Sequence, residues 1–202
     1  MSMPLLVFDL MDTVIVDPFY REVPVYLGTS LEELIQVKHP TSWIEFETGL
    51  TDEMSFLTRF YREDTGLKLA CPEEFKQIFF SAYRFVDGIE TLLATLRAND
   101  QKLWVLSNYS NWVLQARALL QLDRFFEGYC VSCDTGHRKP SPGAYRALMA
   151  STGAAQHLLI DDRPANVEGA LQAGMDAILF TDTDALRRQL HSRGILEGQM
   201  TA

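Results

Sequence analysis

The chain is poor in the residues that build disulfide scaffolds and zinc sites. Its 202 residues include only three cysteines and four histidines. Cys71, Cys130 and Cys133 are too few for a disulfide framework. The pair in "CVSC" falls in "GYCVSC" (128–133), which we read as a strand, where residues three apart face opposite ways. Zinc would also need four ligands. We therefore expect these cysteines to be neither redox-active nor metal-binding.

Long apolar runs and excess positive charge are also missing. No apolar stretch approaches the ~18 residues that a membrane span requires. A formal net charge of −9 argues against a nucleic acid or an anionic membrane as the main partner. The first predicted strand begins within a few residues of Met1, which leaves no room for a targeting segment, so we expect a cytosolic protein. An anionic ligand would need a local basic pocket or a metal ion.

The residues that are present predict one folded domain with a modest insertion. Hydrophobic residues make up 47% of the chain and charged residues 22%, enough for a sizeable core. Five short, continuously apolar runs are typical of strands covered on both faces, as in parallel sheets. They are "PLLVFD" (4–9), "KLWVLSN" (102–108), "GYCVS" (128–132), "HLLIDD" (157–162) and "DAILF" (176–180).

Helical patterns separate these runs, at 88–100, 110–122, 141–152, 163–174 and 181–194. Apolar residues recur there at three-to-four spacing. Ser141 is a plausible N-cap, with Pro142 at the first helical position. The alternation of strand and helix predicts an α/β fold with a doubly wound, Rossmann-like parallel sheet of about five strands, flanked by helices.

One segment interrupts the alternation. Residues 16–86 show helical patterns, including Ser30 and Glu33 at capping-box spacing, but no convincing strand. We therefore expect a catalytic core formed by 1–15 and 87–202, with 16–86 as an α-helical cap over the end of the first strand. The alternative is that the insertion only extends the core.

Polar residues stand at the carboxyl ends of the predicted strands, where ligands bind in such sheets. They are Asp9, Ser107, Asn108, Asp161 and Asp162, with Lys139 a short loop beyond the third strand. Carboxylates from separate strands repel each other unless a cation lies between them, and hard oxygen ligands favour Mg²⁺. Lys139 adds a point charge, and Ser107 with the neighbouring backbone N–H groups, at Asn108, can donate hydrogen bonds to an anion. The set therefore predicts a phosphoryl-binding site. Asp9 is then placed as a nucleophile that forms an aspartyl-phosphate.

Four stretches in order, "FDLMDTV", "LSNY", "RKPSPGAY" and "IDDRPANVEGALQAGM", resemble the motifs of the haloacid dehalogenase (HAD) superfamily, with a helical C1-type cap after the first. Further stretches, including "DPFY", "KHP" and "WIEFE", are similar to plant-type members such as the chloroplast flavin mononucleotide hydrolases. The resemblance implies a Mg²⁺-dependent phosphatase acting on a small phosphomonoester, with flavin mononucleotide as one candidate substrate.

Carried over position by position, the resemblance implies several roles. Asp9 would be the nucleophile and a metal ligand, and Asp162 a direct metal ligand. Ser107 and Lys139 would bind the phosphate. The backbone carbonyl of Met11 would be a further metal ligand, and Asp161 and Asn166 would surround the metal site. Thr13 would hold the first loop by a hydrogen bond.

Met11 departs from the phosphatase pattern, in which a second Asp two residues after the nucleophile protonates the leaving oxygen. Such a donor contributes on the order of 10²–10⁴-fold to the rate. Asp12 is a candidate for the displaced acid, although it could instead serve a backbone conformation with positive φ. Other candidate donors lie in the predicted cap: Asp17, His39, Glu45 and Glu47.

Three alternatives stay open on the sequence. A metal-independent haloacid dehalogenase also lacks the second Asp. A phosphonate hydrolase would use a cap lysine for a Schiff base, and Lys38 is the candidate. A weakly active phospholigand-binding protein is the third. Among the aromatic residues of the predicted cap, Tyr20 and Trp43 are the candidates to stack on a flat ring such as a flavin.

Overall fold

A single parallel sheet forms the centre of the molecule. A computed structural model of the chain describes residues 3–196; residues 1–2 and 197–202, which the predicted core range includes, lie outside the described residues. The strand order β3-β2-β1-β4-β5, with every neighbour parallel, confirms the predicted fold class. The strands are β1 (Leu5–Phe8), β2 (Leu103–Ser107), β3 (Gly128–Val131), β4 (His157–Asp161) and β5 (Asp176–Leu179).

The central strands are apolar because helices cover both faces of the sheet. Every residue of β1 and β4 is buried, whereas β5 at the edge exposes Asp176. One face packs against helices that carry Leu92 and Leu186. The other packs against helices that carry Tyr145 and Ala170. Burial on both sides explains why these strands appear in the sequence as continuous apolar runs rather than alternating ones.

Eleven α-helices accompany the sheet within residues 3–196. Those before β2 are α1 (Glu22–Leu27), α2 (Leu31–Val37), α3 (Ser42–Glu47), α4 (Glu53–Thr58), α5 (Pro72–Ser81) and α6 (Ile89–Ala98). Those after it are α7 (Val113–Leu120), α8 (Ser132–Thr135), α9 (Pro142–Thr152), α10 (Pro164–Gln172) and α11 (Thr183–Ser192). The capping box of Ser30 and Glu33 on α2 and the N-cap of Ser141 on α9 are formed as predicted.

The third strand is shorter than predicted, which corrects the argument about the cysteines. Strand β3 ends at Val131, and Ser132–Thr135 turn into the short helix α8. Cys130 therefore lies on a strand and Cys133 on a helix, so the premise that both share one strand is wrong. All three cysteines are free thiols. The helix predicted at 110–122 is also shorter, because Leu122–Arg124 form a separate 3₁₀ turn.

Helices α1–α5 all lie within residues 16–86, between β1 and α6. The chain enters and leaves this helical insertion through two adjacent extended segments. The Val16 N–H donates to the Arg84 carbonyl, and the Val86 N–H donates to the Val14 carbonyl (both 3.0 Å). This pairing holds the start of the insertion next to its end, directly above β1.

The helical insertion packs tightly on the sheet domain beside α8. The Ser132 hydroxyl donates to the Glu47 carbonyl at the end of α3. At Gly49, where φ is +72°, a Cβ atom would lie 2.6 Å from the Cys133 carbonyl oxygen. Gly49 is therefore required both for its backbone conformation and for the close approach of the two parts.

We expect Gly49→Ala to reduce the free energy of unfolding by more than Gly66→Ala does. Both glycines have positive φ, so each substitution incurs about 1–2 kcal/mol of backbone strain. At Gly66 a Cβ would meet nothing within 4 Å, whereas at Gly49 it would meet a backbone carbonyl. Urea unfolding of the two variants measures the difference, and equal losses would contradict the close approach described here.

Candidate active site

The sheet brings Asp9 and Asp161 together. Asp9 directly follows β1 and Asp161 is the last residue of β4, and these two strands are neighbours in which Phe8 pairs with Ile160. The Asp9 N–H donates to the Ile160 carbonyl at 2.9 Å, which fixes the backbone at the strand end. Both carboxylates are buried. The strand register therefore places two acids side by side at the carboxyl edge, as the sequence predicted.

Lys139 lies between these acids. Its ammonium donates to Asp9 Oδ1 at 2.7 Å and to Asp161 Oδ2 at 2.5 Å, and the residue is only 1% exposed. Burial alone would lower the pKa of Lys139, but the two adjacent carboxylates outweigh it, and the pKa is raised above its usual value. The lysine is therefore a permanent positive charge in this site.

Asn108 holds Lys139 in place from the neighbouring strand end. The Asn108 amide donates to the Lys139 carbonyl at 2.8 Å, and the Lys139 N–H donates to Asn108 Oδ1 at 2.7 Å. Asn108 was predicted to bind substrate, next to Ser107. The Asn108 side chain is engaged with the backbone of Lys139, although the residue also lines the cavity described below.

A third carboxylate completes the cluster. One oxygen each of Asp9, Asp161 and Asp162 lie within 4.8 Å of one another. Asp161 Oδ1 accepts hydrogen bonds from the Arg163 N–H and the Asn166 amide, both at 2.9 Å. With Lys139 on its other oxygen, Asp161 has little capacity left for a metal. Asp162 Oδ1, in contrast, is buried without a hydrogen-bond partner among the described residues.

The electrostatics of the cluster favour a cation. Burial raises the pKa of Asp9 to about 7, an effect opposed by Lys139 and reinforced by Asp161. Burial and the Asp161 charge raise the pKa of Asp162 to about 6. Three carboxylates face the Lys139 ammonium, and the other nearby cation, Arg163, forms no ion pair with them among the described residues, so the ionised cluster carries a net negative charge. An oxygen-only donor set with one unpaired buried carboxylate oxygen fits Mg²⁺, with Asp9 and Asp162 as its side-chain ligands.

The hydroxyls of Ser107 and Thr13 are buried, and neither has a hydrogen-bond partner within residues 3–196. For Ser107, at the end of β2, an unpaired donor agrees with a place for an anion. For Thr13, it means that the hydrogen bond predicted to hold the first loop is absent. The backbone holds that loop instead, since the Val14 and Ile15 N–H groups both donate to the Leu10 carbonyl at 2.8 Å.

A cavity of about 180 Å³ lies between this edge and the helical insertion. From the sheet side it is lined by Asp9, Met11, Asn108, Arg138, Lys139 and Arg163, among others. From the insertion side its lining includes Asp17, Tyr20, Lys38, His39, Trp43 and Glu47. Arg138 and Arg163 were not singled out in the sequence. Their adjacency to Lys139 and Asp162, in "RKP" and "DDRP", was the signal available.

The two candidate stacking residues have different surroundings. Tyr20 is 42% exposed, and its hydroxyl accepts a hydrogen bond from Arg163 at 3.5 Å. Trp43 has aromatic rings around it, with centroid distances of 5.3–6.3 Å to Phe46, Phe56, Phe79, Tyr109 and Trp112. Tyr20 can present a ring to a ligand, whereas most of Trp43 is occupied by packing.

Asp12 does not line this cavity. Its φ of 55° is left-handed, and its carboxylate accepts a hydrogen bond from the Asp17 N–H at 3.0 Å. These contacts favour the conformational role for Asp12 over the role of displaced acid. Glu45 does not line the cavity either, and it forms an ion pair with Arg59 at 2.6 Å.

The sequence matches the haloacid dehalogenase-like hydrolases over residues 3–174. The chain belongs to this family. Among curated proteins, it is 36% identical over 196 residues to "Flavin mononucleotide hydrolase 1, chloroplatic" of Arabidopsis thaliana. The aligned region covers 96% of this chain and 79% of that protein. The predicted family, and the hydrolase class with it, are confirmed.

Solved structures agree on the fold. A HAD family enzyme from Bacteroides thetaiotaomicron superposes with a TM-score of 0.75 at 17% identity, covering 94% of this chain and 99% of that one. The L-2-haloacid dehalogenase of Xanthobacter autotrophicus superposes with a TM-score of 0.66 at 19% identity, covering 95% and 83%. At such low identity these similarities support the fold and not the reaction.

Within residues 3–196, no helix is long and apolar enough to cross a membrane. The cytosolic location and the absence of a nucleic-acid partner stay predictions from the sequence.

We expect the metal-free protein to lose stability as the pH rises. Asp9 and Asp162 have pKa values above the usual 3.8, so the native state binds more protons than the unfolded chain between about pH 4 and about pH 7. The free energy of unfolding then decreases through this range, and Mg²⁺ should raise Tm most above about pH 7. Thermal unfolding with EDTA and with Mg²⁺ measures both effects.

Asp9→Asn should flatten this pH dependence, and Asp64→Asn on the exposed surface should not. A Mg²⁺ effect on Tm that is equal at low and high pH would contradict the carboxylate site.

Proposed function

We propose that this hydrolase is a Mg²⁺-dependent phosphatase that cleaves a small-molecule phosphomonoester through an aspartyl-phosphate intermediate. The observation that carries the proposal is the position of Asp9, whose carboxylate lies against the Lys139 ammonium and within the cluster that contains the unpaired Asp162 oxygen. A carboxylate with a fixed cation on one side and an unpaired carboxylate oxygen that could bind a metal on the other is suited to attack phosphorus.

The surrounding side chains fit the needs of phosphoryl transfer. Lys139 would pair with a phosphate oxygen while keeping Asp9 oriented. The unpaired Ser107 hydroxyl would donate to a second oxygen. Phosphoryl transfer depends mainly on positioning and charge stabilisation, which these buried, fixed groups supply.

Mg²⁺, held by Asp9, Asp162 and, by resemblance to the family, the Met11 backbone carbonyl, would neutralise charge on the phosphoryl oxygens when bound. Asp161 would support the site without a direct bond to the metal, since both of its oxygens already accept hydrogen bonds. An ionised Asp9 is required for attack, and a nearby divalent cation counteracts the rise in its pKa caused by burial.

Flavin mononucleotide is the first substrate to test, because the Arabidopsis relative is named for its hydrolysis. The exposed ring of Tyr20 at the cavity could stack on a flat heterocycle. The cavity of about 180 Å³ is smaller than the ~300–1,000 Å³ usual for small-molecule sites. We therefore propose that the helical insertion, residues 16–86, acts as a cap that shifts to admit a substrate of that size.

Lys38 supports one second candidate, a phosphonate hydrolase acting through a Schiff base. It lines the cavity, and burial lowers its pKa, which favours the neutral, nucleophilic amine. Borohydride trapping of Lys38 with a carbonyl-containing phosphonate tests this alternative. A metal-independent dehalogenase is less well supported, because it would give no role to the unpaired Asp162 oxygen beside Asp9 and Asp161.

We expect Asp9→Asn to abolish turnover of phosphate esters while the protein still folds, because the amide cannot form the aspartyl-phosphate. Release of inorganic phosphate from p-nitrophenyl phosphate measures the loss, and circular dichroism checks the fold. Asp64→Asn, an exposed carboxylate that pairs with Arg62, is the matched control and should retain activity. Normal rates for Asp9→Asn would reject the nucleophile.

Wild-type turnover should depend on Mg²⁺ and should stop in EDTA. A panel containing flavin mononucleotide, sugar phosphates, p-nitrophenyl phosphate and a 2-haloacid, assayed with and without Mg²⁺, identifies the substrate class. Release of halide from the 2-haloacid without metal would show that the protein is a dehalogenase and not a phosphatase. Ligand-dependent thermal stabilisation without any turnover would indicate a phospholigand-binding protein.

A further inference from the structure

The side chain at position 11 leaves the site without its expected proton donor. Met11 lines the cavity, so a thioether occupies the place at which the family's phosphatases carry an acid. An alkyl phosphate is a poor substrate without protonation of its leaving oxygen. If the chain cleaves such esters, the proton must come from another group that faces the same cavity.

Few cavity-lining groups can supply it. The carboxyls are Asp9, Asp17 and Glu47, and Asp9 is the nucleophile. Burial raises the pKa of Glu47, but its Oε1 lies 2.7 Å from the Arg138 guanidinium, which opposes that rise and favours the ionised form. The ring of His39 is held in place, since Nδ1 accepts hydrogen bonds from two backbone N–H groups and Nε2 faces the Arg59 guanidinium. Asp17 is the carboxyl that is left.

Asp17 is held in one conformation with half of its carboxyl engaged. Its Oδ1 accepts a hydrogen bond from the Phe19 N–H at 2.9 Å and caps the 3₁₀ turn Pro18–Tyr20. Its own N–H donates to Asp12 Oδ1 at 3.0 Å. This leaves Oδ2 without a hydrogen bond to any described residue, in a side chain that lines the cavity beside the catalytic edge.

We propose that Asp17 is the general acid and base of this hydrolase, in place of the residue missing at Met11. The proposal rests on the phosphatase function proposed above. In the first step the Asp9 carboxylate forms a bond to phosphorus, the bond from phosphorus to the ester oxygen breaks, and the Asp17 carboxyl gives its proton to that oxygen, releasing the alcohol.

In the second step water attacks phosphorus, and the Asp17 carboxylate takes a proton from that water. The bond from phosphorus to Asp9 breaks, which releases inorganic phosphate and restores both side chains. Asp17 must therefore be protonated at the start of each turnover and ionised after the first step.

The surroundings of Asp17 suit this cycle. Burial raises the pKa of Asp17 to about 6, opposed by the Phe19 N–H hydrogen bond and by Arg163 and reinforced by the charges of Asp12 and Asp162. The Tyr83 and Tyr109 hydroxyls, which bond to each other, also lie within the electrostatic range of Asp17. A carboxyl that titrates near neutral pH can both donate and accept a proton under working conditions.

The test is the dependence of kcat/KM on the leaving group, because kcat/KM reports the step in which the ester bond breaks. The probes are a series of aryl phosphates from p-nitrophenyl to phenyl, together with flavin mononucleotide and glycerol phosphate as alkyl esters, all with Mg²⁺. Asp17→Asn keeps a capping oxygen for the Phe19 N–H, so the turn is preserved. Asp17→Ser, which also caps, is the second variant.

We expect both variants to lose about 10²–10⁴-fold in kcat/KM for the alkyl esters and far less for p-nitrophenyl phosphate, whose leaving group needs little protonation. If Asp17 had only a structural role, its substitution would lower kcat/KM by the same factor for all of the esters. The matched control is Asp52→Asn, which makes the same substitution at an exposed N-cap, that of α4, and should leave the leaving-group dependence unchanged.

Equal losses across the series, or no loss for the alkyl esters, would overturn the role of Asp17 while leaving the phosphatase in place. If the wild-type protein cleaves none of the esters with Mg²⁺, the proposed phosphatase function is rejected, and the role of Asp17 is rejected with it.

Discussion

The buried contact of Lys139 with Asp9 and Asp161 is the constraint on which the rest of the structure depends. Removing three charges from water costs several kcal/mol per ion, and only close pairing with full hydrogen bonding offsets it. The sheet order provides that pairing, since β1 and β4 are central neighbours and their ends hold the two acids. Asn108 completes it by fixing the backbone of the lysine. Much of the architecture serves to hold one ammonium against two carboxylates.

Charge balance extends this constraint to the chemistry. The paired lysine cannot neutralise a third acid, and Asp162 is left with a buried oxygen that no described residue satisfies. A phosphate ester alone would add negative charge to the site, whereas a metal ion and a phosphate together restore the balance. The same excess of negative charge that destabilises the cluster thus favours binding of a metal ion, which in turn favours binding of the phosphate.

The elements of the fold, and the polar residues that meet at the strand ends, were predictable because they depend on local patterns. Apolar runs ending in acids identified the strand ends, and helix caps such as Ser141 depend on a few consecutive residues. What the sequence could not reveal depends on contacts between distant segments. The use of Asn108 to hold Lys139, the unpaired Thr13 and the early end of β3 at Val131 each follow from tertiary packing. The absence of an acid at Met11 was visible in the sequence, and Asp17 was one of several candidate donors there, but only the cavity and its contacts favour Asp17 over the others.

The aromatic packing around Trp43 has a consequence for folding cooperativity. Two of its five ring neighbours, Tyr109 and Trp112, belong to the segment that follows β2, so the interior of the helical insertion is completed by residues of the sheet domain. This ring cluster is therefore incomplete in either part alone, although the sheet also has a separate apolar cluster of its own around Tyr145. The insertion and the sheet should therefore unfold in one transition. The insertion could not be exchanged between relatives unless Tyr109 and Trp112 were transferred with it.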